Sequence, residues 1–260
     1  MQTATYDVKQ SVVNEKTMEA NHQNDQGLRT SLMFEQCYNQ FSHLSYTDDQ
    51  VPIVCRIHDA FGARNEGHHN CLGCNFAEEV ENINSFLSQY YLLVDIKRDV
   101  RHYLILLYLF VERIETVIEI LQVPTAYRRK YFRVFSRIRK WANFIKHPKS
   151  FVLTHHPDYN FEEDSVPYLS DREVIINDQF VDHYYRGIHD HEKQKKKNQE
   201  LYNKLRNQSS VLVLYPNMPS LTKSFCYALE KVVTLISNNE VYAEILNDEA
   251  TISDYFANEE

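Results

Sequence analysis

Glycine is scarce in this chain of 260 residues: there are five, and three of them fall between residues 51 and 75. Such scarcity excludes a glycine-rich phosphate loop and argues against a sandwich built on many tight turns. No stretch reaches the ~18 consecutive apolar residues that a membrane-spanning helix needs. The longest apolar run, residues 103–111, is much shorter. The opening MQTATYDVKQ has no apolar core of a secretory signal. The expectation is therefore a cytoplasmic protein with no membrane partner. Its five cysteines should then be reduced, which favours metal binding or burial over disulfides. No HExxH helix and no serine elbow are present. Acidic residues are missing altogether from residues 120–157.

Hydrophobic residues make up 43% of the chain, enough for a globular core without disulfides or metal. Tyrosine (18) and phenylalanine (14) are abundant, which suits half-buried helix faces and interfaces. The net charge is −8, but the acid-free stretch holds nine of the 28 basic residues, leaving 19 basic against 36 acidic residues elsewhere. Such asymmetry points to a polyanion or to an acidic protein surface as partner.

Residues 1–30 are polar and aperiodic and read as a flexible tail. A short helix is expected over 31–42, and a Cys/His-rich knuckle fills the remainder of 31–76. Residues 77–260 read as a helical domain. Val80, Ile83, Phe86, Leu87, Tyr90 and Tyr91 recur at helical spacing from Ala77 onward. A second long helix spans 99–121 and is ended by Pro124. A third runs over 126–146, with Tyr131, Val134, Phe135, Ile138, Trp141, Ala142 and Ile145 as its apolar stripe. Short apolar runs at 151–154, 174–176 and 211–215 read as strands of a small sheet. A polar helix is expected over 178–206, and helices over 220–237 and 239–246 close the chain. The fold class is mainly α (α+β): a bundle of long helices with a small inserted sheet and the N-terminal knuckle.

Cys55 and His58 are separated by two residues, as are Cys71 and Cys74, with twelve residues between the pairs if each pair is taken as a unit. Two such pairs on turns, with Gly73 easing the second, can supply the four tetrahedral ligands of a structural zinc ion. The alternative is two unrelated thiol clusters in a His-rich loop. A catalytic zinc would need an open position and a general base. Glu66 and Glu78 are nearby, but nothing marks either for that role.

The segment YRRKYFRVFSRIRKWANFIKHPK carries the chain's strongest charge pattern. Arg129, Arg133, Arg137 and Lys140 lie three or four residues apart along one side of a helix, and Lys146 follows. A row of guanidinium and ammonium groups matches a phosphate backbone, and guanidinium binds phosphate in bidentate fashion. The competing reading pairs this face with acidic helices, such as the one carrying Glu112, Glu115 and Glu119. Near the helix end, Lys140, Asn143 and His147 share a face and Arg139 lies close to it. A histidine among cations has its pKa lowered and can serve as a general base, while a neighbouring cation stabilises charge developing on phosphate.

A basic residue, a polar residue and then a histidine at the end of a long helix resembles the motif of the HEPN families, which runs Arg, a polar residue, four to six further positions, then His. The likeness spans residues 79–147. It implies Asn143 as the polar member and His147 as the catalytic histidine. Seven residues separate Arg139 from His147. Six separate Lys140 from it, but lysine stands there in place of arginine. The resemblance implies a nucleic-acid-directed protein of a prokaryotic antiviral defence or toxin system. It would be either a metal-independent endoribonuclease effector or an RNA-binding subunit. The other reading is a non-enzymatic, zinc-stapled helical module that docks on a protein partner and is associated with defence or a mobile element. A homodimer fits either reading.

Overall fold

An apolar stripe buried on several sides at once organises the chain around one long helix. A computed structural model describes residues 31–42, 72–93, 95–146, 158–159, 173–186, 191–208 and 211–242. We label the helical residues 31–42 α1, followed by α2 (Leu72–Ser88). A 3-10 turn at Tyr90–Leu92 then leads to α3 (Ile96–Ile120). On α3, Tyr103, Leu104, Leu107, Phe110, Val111, Ile114, Val117 and Ile118 are all buried. The spacing is that of a wide amphipathic face. Asp95 caps its start, accepting from the Arg98 amide at 3.2 Å.

α3 stops at Ile120, before Pro124 is reached. Gln122 takes a positive φ of 50°. The Gln122 amide donates to the Glu119 carbonyl at 2.9 Å and the Val123 amide to Ile118 at 3.1 Å. Ile118 and Val123 are both buried. These are the two bonds of a Schellman stop, which satisfies carbonyls that the helix end leaves open.

Two further helices, α4 (Thr125–Tyr131) and α5 (Arg133–Lys146), take the place of the single helix expected over 126–146. The break falls at Phe132, with φ −114° and ψ 20°. In a straight helix Phe132 would lie roughly 120° from the centre of the apolar stripe, at 3.6 residues per turn. The break instead leaves it buried, stacked on Phe135 at 5.3 Å. On α5, Val134, Phe135, Ile138, Trp141, Ala142 and Phe144 are buried, and the helix packs against α3.

The expected polar helix over 178–206 is likewise two elements, α6 (Asp178–Tyr185) and α7 (His191–Gln208). α6 packs on α5. The Lys197 ammonium of α7 donates to the carbonyls of His183 and Tyr184, each at 3.1 Å, at the end of α6. That places a cation at the negative end of the helix dipole. Asn217 and Pro219 start α8 (Met218–Ser237), with the Asn217 side chain accepting from the Ser220 amide at 3.0 Å.

Three parallel strands lie beside the helices: β1 (Asp158–Tyr159), β2 (Glu173–Asn177) and β3 (Val211–Tyr215). Their order is β1-β3-β2, with Ile175 opposite Val213. The middle strand carries the unbroken apolar run VLVLY, a sequence typical of the strands of a parallel sheet. The run expected as a first strand, 151–154, lies outside the described residues. The described chain is mainly helical.

α1 belongs to the same core as α3. Phe34 meets Phe86 at 5.6 Å and Tyr103 at 5.9 Å, both edge-on. Residues 31–42 are thus part of the helical body, although the sequence groups them with the knuckle. α2 begins at Leu72, five residues before the Ala77 expected for it, so Gly73 and Cys74 are helical and do not sit on a knuckle turn. Among the described residues, no helix is long and apolar enough to cross a membrane.

Candidate nucleic-acid interface

α5 distributes its charges over two faces. Towards α3, the Arg139 Nε donates to Glu112 Oε1 at 2.5 Å, and its Nη1 lies 3.9 Å from Glu115. Burial lowers the Arg139 pKa, but the hydrogen bond and charge of Glu112, with the charge of Glu115, outweigh it and leave it raised. Arg128 of α4 reaches the same acidic face, 2.5 Å from Glu115 Oε2. Glu115 is buried at 8% exposure, so water screens the carboxylate end of this pair only weakly.

Towards α6, Arg137 pairs with Asp178 and Lys140 pairs with Asp182 at 2.7 Å. The Trp141 indole N–H donates to the other Asp178 oxygen at 2.6 Å. Asp178 opens α6 immediately after the capping Asn177, where a carboxylate also complements the helix dipole. Lys146 projects its ammonium over the Tyr108 ring, 3.5 Å from the centroid.

The residues proposed from sequence therefore separate. Arg139 and Lys140 are adjacent in the chain yet serve partners on different elements, Glu112 of α3 and Asp182 of α6. Asn143 is half-buried on α5. His147 lies outside the described residues. Arg129 and Arg133 are exposed, whereas Arg137, Lys140 and Lys146 are engaged as above. Of the proposed zinc ligands, Cys55, His58 and Cys71 lie outside the described residues, and Cys74 stands in the first turn of α2.

What the fold does bring together is a groove of about 850 Å³ between the α4–α5 junction, α6 and α8. Arg133, Arg137 and Lys140 line it from α5, Lys130 from the end of α4, and Lys223 from α8. Arg133 to Lys140 spans two helical turns, about 10 Å. Asp178 and Asp182 line the same groove and neutralise its Arg137–Lys140 half. Lys130, Arg133 and Lys223 are exposed and form no ion pair with a described residue. The groove thus has a neutralised half and a cationic half, on a protein whose net charge is −8.

Tyrosines line the cationic half. Tyr131 and Tyr227 face the groove, and Tyr127 packs on Tyr131 at 4.5 Å between centroids. The ammonium of Lys130 lies 5.0 Å from the Tyr131 ring, and that of Lys231 lies 5.9 Å from Tyr131 and 5.3 Å from Tyr227. The neighbouring Tyr131 side chain raises the Lys130 pKa from its ordinary value. Lys223, Tyr227 and Lys231 were not singled out from sequence. Their signal is the four-residue spacing Lys–Tyr–Lys along α8, less conspicuous than the dense basic run of α4 and α5. No family model, curated protein or solved structure matches this chain.

Proposed function

We propose that this protein binds RNA through the groove between α5, α6 and α8, with the phosphate backbone held by Lys130, Arg133 and Lys223. The observation that carries the reading is the presence in one groove of three exposed cations without a carboxylate partner among the described residues. Cations already paired within the fold would have to exchange one partner for another, whereas these three gain a counter-charge on binding. RNA as the polyanion comes from the resemblance of the basic helix to HEPN proteins. The reading is of binding without cleavage, because Arg139 and Lys140, the two cations that the HEPN resemblance offers, are ion-paired with Glu112 and Asp182.

The test is fluorescence anisotropy of a labelled RNA across a salt series, for wild type and the Arg133→Glu/Lys223→Glu double variant. Each phosphate contact on a single strand contributes a slope of about 0.7 in log K against log salt. The double variant should therefore lose about 1.4 of slope along with most of its affinity. Equal affinities for the two proteins, or no salt-dependent binding by wild type, would remove the proposal. Incubating the same RNA in EDTA with wild type and His147→Ala tests cleavage directly. Product from wild type alone would replace binding with metal-independent RNA cleavage as the function.

A further inference from the structure

We propose that Tyr227 is a base-stacking platform, so that the groove takes single-stranded in preference to duplex RNA; this rests on the RNA-binding reading above. Tyr227 is 54% exposed, a high value for a large aromatic side chain, and it faces the groove. It is positioned by helix geometry rather than by a loop. Lys223, Tyr227 and Lys231 follow one another at four-residue intervals on α8, so they form one row with steps of about 6 Å. The row reads cation, ring, cation. A strand laid along it meets positive charge on either side of an aromatic face.

The neighbouring rings show why Tyr227 is the platform. Tyr131 is flanked by Lys130 at 5.0 Å and Lys231 at 5.9 Å, and Tyr127 packs on it at 4.5 Å. It is half-buried and already surrounded. Tyr227 has one close cation, Lys231 at 5.3 Å, and more than half of its surface open. An exposed ring beside cations stacks on any unpaired base, because every base has a π-face. A duplex keeps its bases stacked on one another and offers only phosphates and hydroxyls to such a surface.

The experiment measures affinities of wild type, Tyr227→Ala, Tyr227→Phe and Arg133→Glu/Lys223→Glu for a single-stranded RNA and for a duplex of the same length. Tyr227→Ala should weaken single-strand binding roughly 5- to 150-fold, the range of one stacked base, and weaken duplex binding much less. Tyr227→Phe keeps the ring and should bind the single strand as wild type does. If Tyr227→Ala binds the single strand as tightly as wild type while the double charge variant loses affinity for both RNAs, the stacking proposal fails and the RNA-binding reading survives. If wild type binds neither RNA, the binding reading fails and the stacking proposal with it. Because Tyr227 is exposed, its replacement leaves the core of α8 intact.

Discussion

The indole N–H of Trp141 donates to Asp178 Oδ1 at 2.6 Å, while the other oxygen of the same carboxylate accepts from Arg137. Trp141 is 1% exposed, so its N–H has no recourse to water. Asp178 therefore satisfies a core donor and a groove cation at once, and it fixes the start of α6 against α5. Asp178→Ala leaves the indole unpaired and should destabilise the protein by about 1–3 kcal/mol. Asp178→Asn keeps an acceptor for the indole and loses only a partly exposed ion pair, for which a loss under about 1 kcal/mol is expected. Urea unfolding of both variants checks the contrast. Equal losses would show that the indole bond contributes little.

Arg139 is a strut between α5 and α3 in this structure, and its removal should be felt in stability and not in RNA affinity. Its pair with Glu112 is more than a third exposed on both sides, so Arg139→Met should shift stability by less than about 1 kcal/mol. Glu115 is different, because it is buried and faces both Arg128 and Arg139. Glu115→Ala leaves two guanidiniums close to one another without that carboxylate, and a loss of about 1–3 kcal/mol is expected. Anisotropy should give Arg139→Met the wild-type affinity and Arg133→Met a weaker one. A large loss of RNA affinity in Arg139→Met would return Arg139 to the binding site.

The apolar stripes of α3 and α5 were legible because burial on one side of a helix imposes a 3.6-residue period that single positions such as Ile114 and Ile138 obey. Phe132 was not legible. Its distance from the stripe reads as a solvent-facing position, and only the break between α4 and α5 turns it into the core. The pairing of the basic face was half legible. Glu112 and Glu115 stand on the preceding long helix and could be proposed as partners. Asp178 lies 41 residues from Arg137, and nothing local links them. Periodicity says which residues share a face, not which distant element will cover it. The groove escaped notice for the same reason, since Arg133 and Lys223 meet only through tertiary packing.

Gln122 holds the left-handed conformation that ends α3, at φ 50°. A Cβ in that region costs roughly 1–2 kcal/mol, while glycine has no Cβ and loses about 0.5–1 kcal/mol through extra freedom in the unfolded chain. Gln122→Gly should therefore raise stability by about 0.5–1 kcal/mol, and Gln122→Val should lower it. The pair of urea midpoints, at unchanged m-value, tests the assignment. A lower midpoint for Gln122→Gly would mean that the Gln122 side chain contributes more than its backbone strain removes.

Cys37, Tyr103 and Cys226 form a buried titratable group where α1, α3 and α8 meet, with Tyr103 hydrogen-bonded to Thr222 at 2.7 Å. Burial pushes the Cys37 thiol from its ordinary 9.0 up to about 12, and it raises Cys226 and Tyr103 as well. In the unfolded chain these groups release their protons at lower pH than in the fold. Their contribution to stability is therefore complete below the unfolded thiol value of 9.0 and is lost as pH climbs from there through about 12. Urea midpoints for wild type should fall between about pH 8 and about pH 10.5, and the fall should be shallower for Cys37→Ala, which removes one of the three protons. The readout is the difference in slope between the two proteins, since other tyrosines and lysines titrate in both. Parallel slopes would mean that Cys37 ionises in the fold as readily as in the unfolded chain, and that this corner of the core is open to water.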